Sequence, residues 1–186
     1  MAALSIHAGC EVGHGMPELR ATLAACPCGP LGEGAYVLMA AEIAGMQPAS
    51  MEDWFEVHNL FIRYTTALDR GDADAVAECF TEDGLVVSPL LGDFRGRADI
   101  HAFAERTARA SRERGAQFRH AISNLAASVV EDRGHATCYL LEYMTENGEA
   151  KLLTPGEYDC DLMRVSGKWL FSERRITLDQ PFPIML

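Results

Sequence analysis

The hydrophobic period of this chain switches once, from a helical repeat to strict alternation, and that switch limits its fold more than any other feature. Starting at Met51, the residues Trp54, Val57, Phe61, Tyr64 and Leu68 recur at steps of three and four, marking one face of an amphipathic helix. Gly71 follows as a C-cap, and Asp72 can cap a second short helix through about Phe80 that turns Ala75, Val76, Cys79 and Phe80 inward. TEDG (81–84) reads as a turn, LVVSPL as the start of a strand, GDFRGR (92–97) as another turn, and Ala98 to Arg114 as a third helix. The period then becomes two. FRHAISNLAASVVED (118–132), HATCYLLEYMTE (135–146), GEYDCDLMRV (156–165) and KWLFSERRITL (168–178) read as four strands joined by turns at RG, ENG and SG. Helices followed by an antiparallel meander define an α+β class. The expected architecture is a cone-shaped α+β barrel, with the N-terminal helices packed in a curved antiparallel sheet around a cavity.

Residues 1–50 follow neither period. Arg20 is their only cation, and CPCGPLGEG (26–34) is loop material whose glycines match no phosphate-binding fingerprint. The expected division is an N-terminal extension over 1–50, partly irregular, and one domain over 51–186. Met51 is a candidate functional start, and part of 35–46 can form a short helix. His7, Cys10 and His14 read as part of a tail, not as a metal cluster. No C-x-x-C or H-E-x-x-H pattern occurs, so neither a metal nor a cofactor is expected. The six cysteines are scattered without a disulfide framework, which points to a reducing, cytoplasmic environment. The apolar run at 35–46 is too short for a membrane span and carries Glu42. A formal net charge of −11 excludes the basic face that nucleic-acid binding needs.

Chemistry concentrates on few residues. His120 shares a strand face, by alternation, with Phe118, Ile122 and Asn124. Asp69 stands near a helix C-terminus, where the macrodipole disfavours an acid, so its placement asks for another reason. A histidine is a natural partner, because a carboxylate fixes the imidazole tautomer and raises its basicity. Tyr64 can line the same cavity and offer a hydroxyl. Glu142, Tyr143 and Tyr158 are strand residues whose inward face alternation does not decide. Arg174 and Arg175 are adjacent on the last strand and point to opposite faces, so at most one enters the cavity.

The helix YTTALDRGDADAVAECFTEDG, the turn FRGRADI, the segment FRHAISNLAASVVEDRGHATCYLLEY and the segment GEYDCDLMRVSGKWLFSERRI, in this order, resemble the SnoaL-like branch of the nuclear transport factor 2-like superfamily. The likeness covers roughly residues 51–180. It implies the cone-shaped fold, and a dehydratase or dehydrochlorinase pair of an Asp at the end of the first helix with a His on a central strand. Asp69 in ALDRGD and His120 in RHAISNL match those positions. Tyr64 resembles a pocket tyrosine of the bile acid dehydratase, and a late-strand Arg recurs at Arg174 or Arg175. Many relatives carry a second His beside the first, where this chain has Arg119.

The expectation is therefore a cofactor-independent lyase, most simply a dehydratase, acting on a hydrophobic small molecule. His120, Asp69 and Tyr64 are its catalytic candidates. Phe118, Ile122, Asn124, Tyr158, Arg174 and Arg175 are its substrate-binding candidates. The same pair could run an isomerase or polyketide cyclase by proton transfer alone. A non-catalytic small subunit, like those of ring-hydroxylating dioxygenases, is the reading from a different class. The apolar tail QPFPIML (180–186) suits a homodimer or homotrimer.

Overall fold

The computed structural model describes residues 46–181. The tail cluster of His7, Cys10 and His14, the segment 26–34, the helix expected in 35–46 and most of the 180–186 tail lie outside the described residues. Three helices, α1 (Met51–Arg70), α2 (Ala73–Glu78) and α3 (Gly96–Arg114), pack on a seven-stranded sheet. Its strands are β1 (Gln47–Pro48), β2 (Phe80–Ser88), β3 (Gly92–Arg95), β4 (Gln117–Val130), β5 (Arg133–Glu146), β6 (Glu149–Val165) and β7 (Lys168–Leu178), in the order β1-β4-β5-β6-β7-β2-β3. The α+β class is the one expected.

Helix α1 begins where the Ser50 hydroxyl accepts the Asp53 amide at 3.1 Å. It ends where Gly71, at φ 70°, takes the left-handed conformation that glycine adopts without strain. Its apolar stripe, Val57, Leu60, Phe61, Tyr64 and Leu68, is buried against the sheet. Phe61 meets Phe171 of β7 edge-on at 5.1 Å, and burial of each ring contributes about 1.5–3 kcal/mol. Asp72 then caps α2 by accepting the Ala75 amide at 3.0 Å.

Several local expectations are corrected. TEDG is not a turn: it lies within β2, where an irregularity between Phe80 and Leu85 absorbs the extra residues. GDFRGR is not a plain turn either, since Gly92–Arg95 form β3, antiparallel to β2. The hairpin between β4 and β5 turns at Glu131–Asp132, not at Arg133–Gly134, because Val130 already pairs with Arg133. Strand β6 starts at Glu149, seven residues before the expected start at Gly156, running through a Pro–Gly pair that reads as a breaker in sequence. The sheet is also more than a meander. β2 lies parallel to β7, with Val86 opposite Arg174, and this contact curls the sheet around the helices.

Along β5 the even-numbered residues from Gly134 to Met144 are buried, and along β6 those from Gly156 to Leu162. The apolar residues of this inner face, Met144 excepted, form one core with the stripe of α1. Cys79, Cys138 and Cys160 sit in it as free, buried thiols, the small-hydrophobe role expected of them.

Candidate active site

The end of α1 is tied to the start of β4. The Gln117 side-chain amide donates to the Asp69 carbonyl at 2.9 Å. The Asp69 carboxylate in turn accepts the His120 backbone amide, at 3.2 and 3.3 Å to its two oxygens. It also lies 2.6 Å from His120 Nδ1 through Oδ1. A carboxylate only accepts, so Nδ1 carries the proton, and whenever the ring is neutral Nε2 is left with a free lone pair. The macrodipole objection to Asp69 is met by these three contacts. Side-chain exposure is 6% for His120 and 12% for Asp69.

His120 lines a small cavity, of about 40 Å³, that opens to solvent. Tyr64, His120, Glu142 and Tyr158 supply its polar wall. Leu68, Leu140, Phe103, Ile176 and Leu178 supply its apolar one, and Ser88 to Leu91 close one side. The lining, apolar with a few convergent polar groups, is of the kind that binds a small, largely apolar molecule. Asp69 does not line this cavity. It holds His120 from behind and faces a separate, more polar recess with Arg70, Arg112 and Gln117.

Glu142 pairs across the ladder with His120, and its Oε1 is 3.7 Å from Nε2. Burial raises its carboxyl above the ordinary range; His120 opposes that rise and Asp69 reinforces it. Tyr64 is fully buried, and its hydroxyl has no hydrogen-bond partner among the described residues. Burial pushes its phenol up to about 12. Tyr158 is raised well above its ordinary value for the same reason. Arg174, also fully buried, lies with its guanidinium carbon 3.5 Å from the Tyr158 ring centroid and 3.8 Å from that of Tyr64.

The structure thus brings Tyr64, His120 and Tyr158 to one cavity, with Asp69 and Arg174 directly behind them. It separates the remaining candidates. Phe118 packs with Met144 and Leu153 in a small cluster of its own. Ile122 packs against the main core and does not line the cavity. Asn124 is exposed at φ 56° in a bulge between Ser123 and Ala126 that ends the alternation assumed for it. Arg175 is exposed and ion-paired with Glu173, so Arg174 is the inward arginine. Glu142 was one of three residues that alternation left open, and it is the one that meets His120. Among the described residues, no group of three or more His, Cys, Asp or Glu side chains is arranged to hold a metal ion. No described helix is long and apolar enough to cross a membrane.

Helices capping a curved sheet around an internal pocket define the NTF2-like class. An NTF2-like protein with a cystatin-like fold from Novosphingobium aromaticivorans superposes with a TM-score of 0.64 at 24% identity, over 82% of this chain and 95% of that one. Residues 49–175 match the SnoaL-like domain, and the chain belongs to that family of small-molecule-binding NTF2-like enzymes. Comparison with curated proteins finds no match. Among solved structures, ActVI-ORFA from Streptomyces coelicolor is similar at 29% identity and a TM-score of 0.62, over 70% of this chain and 97% of that one. Aln2 from another Streptomyces strain is similar at 25% identity and a TM-score of 0.64, over 72% and 95%.

Proposed function

We propose that this protein is a cofactor-independent lyase that eliminates water from a hydrophobic small molecule, with His120 as its base and Asp69 as the residue that orients it. The observation that carries this reading is the 2.6 Å contact of Asp69 Oδ1 with His120 Nδ1, which leaves Nε2 as a base on the wall of an apolar cavity. His120 Nε2 takes a proton from a carbon next to a carbonyl. The electron pair of that C–H bond moves onto the carbonyl oxygen, returns to form the new double bond, and expels the neighbouring hydroxyl. The proton taken up by His120 converts that hydroxyl to water. One positioned base contributes about 10²–10⁴-fold, so stabilisation of the oxygen charge must supply much of the rest.

An inward Asp69 and an open cavity support an enzyme over a non-catalytic subunit. The test is a panel of cyclic β-hydroxy ketones, followed by mass for loss of one water and by absorbance for the conjugated product. Wild type should convert at least one member, and His120→Gln should lower kcat/KM by about 10²–10⁴-fold. Absence of any elimination, or equal rates in the variant, would sink the reading. A product of unchanged mass with solvent deuterium at the carbon would instead identify an isomerase or cyclase using the same pair.

A further inference from the structure

Helix α1 carries a second apolar line, which the other described residues leave uncovered. Met51, Phe55 and Ile62 are 82%, 59% and 41% exposed. By the helical step they fall within about 40° of one another, on the side opposite the buried stripe of Val57, Tyr64 and Leu68. A single exposed apolar residue asks for no explanation, but three aligned on one helix face mark a contact surface. Glu56 and Arg63, both exposed, form a parallel line about 100° further round. Neither takes part in an ion pair among the described residues. They stand about 10 Å apart along the axis, too far to pair with each other. The helix dipole does not account for them, since its effect is confined to the first and last turns. Glu56 also lies one turn from Glu52, and like charges at that spacing repel.

The order of these residues is symmetric about Asn59. Phe55 and Glu56 stand four and three residues before it, and Ile62 and Arg63 three and four after it. An isologous contact joins residue i to residue j and residue j to residue i, so a helix face with this symmetry fits a second copy of itself. We propose that the outer face of α1 is a homodimer interface, with the two helices antiparallel about a two-fold axis at Asn59. Phe55 then meets the partner's Ile62 on one flank, and Glu56 meets the partner's Arg63 on the other. Both contacts occur twice, and Met51 extends the apolar flank. A parallel pair would instead set Glu56 on Glu56 and Arg63 on Arg63. The pairing is independent of the cavity chemistry, because α1 turns its other side, with Tyr64 and Leu68, toward the cavity. One helix face is smaller than a standard protein interface, so the dimer is a weak one, with Kd on the order of 10 µM.

The test is sedimentation equilibrium of the full chain over a concentration series. Wild type should pass from monomer to dimer across about 1–100 µM. Phe55→Glu should stay monomeric throughout, with its circular dichroism and Tm unchanged because the position is exposed. Glu56→Arg and Arg63→Glu should each weaken self-association by about tenfold or more, since each sets like charges opposite one another. An equimolar mixture of those two variants should form a heterodimer. Glu56→Arg and Arg63→Glu combined in one chain should restore the homodimer. Such rescue follows only if positions 56 and 63 face each other across the two-fold axis. A wild type that is monomeric over the whole series overturns the proposal. A dimer indifferent to Phe55→Glu and to both charge reversals also overturns it, and places the contact on another face. A monomer whose Tm falls in Phe55→Glu would assign the stripe to a contact within one chain, and would overturn it as well.

Discussion

At the residue scale the site depends on the order Asp69, His120, Glu142, in which a carboxylate stands on each side of one imidazole. The two acids differ in environment. Asp69 accepts the His120 amide as well as the ring proton, whereas Glu142 is buried on the cavity side, where loss of water raises its pKa. Asp69→Asn keeps the shape but can present an amide N–H to Nδ1, which turns the free lone pair away from the cavity. Activity in an elimination assay should fall by about 10²-fold or more, with the fold intact by circular dichroism. Glu142 makes a separate statement about stability. A carboxyl raised in the folded state holds its proton there longer than in the unfolded chain. Its contribution to stability is therefore complete below the unfolded value and is lost as pH rises through the folded one. Glu142→Gln should flatten that decline and raise Tm at neutral pH, each ~1 kcal/mol appearing as roughly 2–4 °C. A Tm that falls equally at all pH values would show that the carboxylate is needed for packing.

At the element scale the helices were readable because a three-to-four step and a Gly stop leave little choice: α1 spans Met51–Arg70 and carries the stripe expected of it. The strands were readable in number but not in register. An unbroken ladder from the turn at Glu131–Asp132 would set Tyr143 opposite His120. The bulge at Asn124 puts Glu142 there instead. The same kind of irregularity, between Asp161 and Leu162, carries Arg174 to the inner face opposite Cys160 and leaves Arg175 outside. Alternation counts residues and cannot see an inserted one, so the identity of both inward residues, Glu142 and Arg174, was hidden. Gly156 shows how tightly the registered strands pack. A Cβ built there would lie 2.2 Å from the Thr177 carbonyl oxygen of β7, so any side chain must part β6 from β7. Gly156→Ala should cost about 1–3 kcal/mol and lower Tm by several degrees. Because Tyr158 and Ile176 are opposite each other two positions further along, it should also weaken binding in the cavity. An unchanged Tm in thermal unfolding would contradict this packing.

At the scale of the whole molecule, the switch from a helical to an alternating period pointed to the α+β cone, and the SnoaL-like match over 49–175 agrees with it. The parallel pairing of β2 with β7 did not show in the sequence, because it joins segments far apart in the chain that no local pattern encodes. The end of α1 is held against β4 with Asp69 behind His120, so the fold and the chemistry meet at that one contact. An NMR pH titration of the His120 ring, in wild type and in Asp69→Asn, tests it most directly. If the pair acts as proposed, His120 in wild type shows the Nδ1-protonated tautomer, and both its tautomer and its apparent pKa change when Asp69 is neutralised. A His120 that titrates like a solvent-exposed histidine and is indifferent to Asp69→Asn would contradict the account and remove its base.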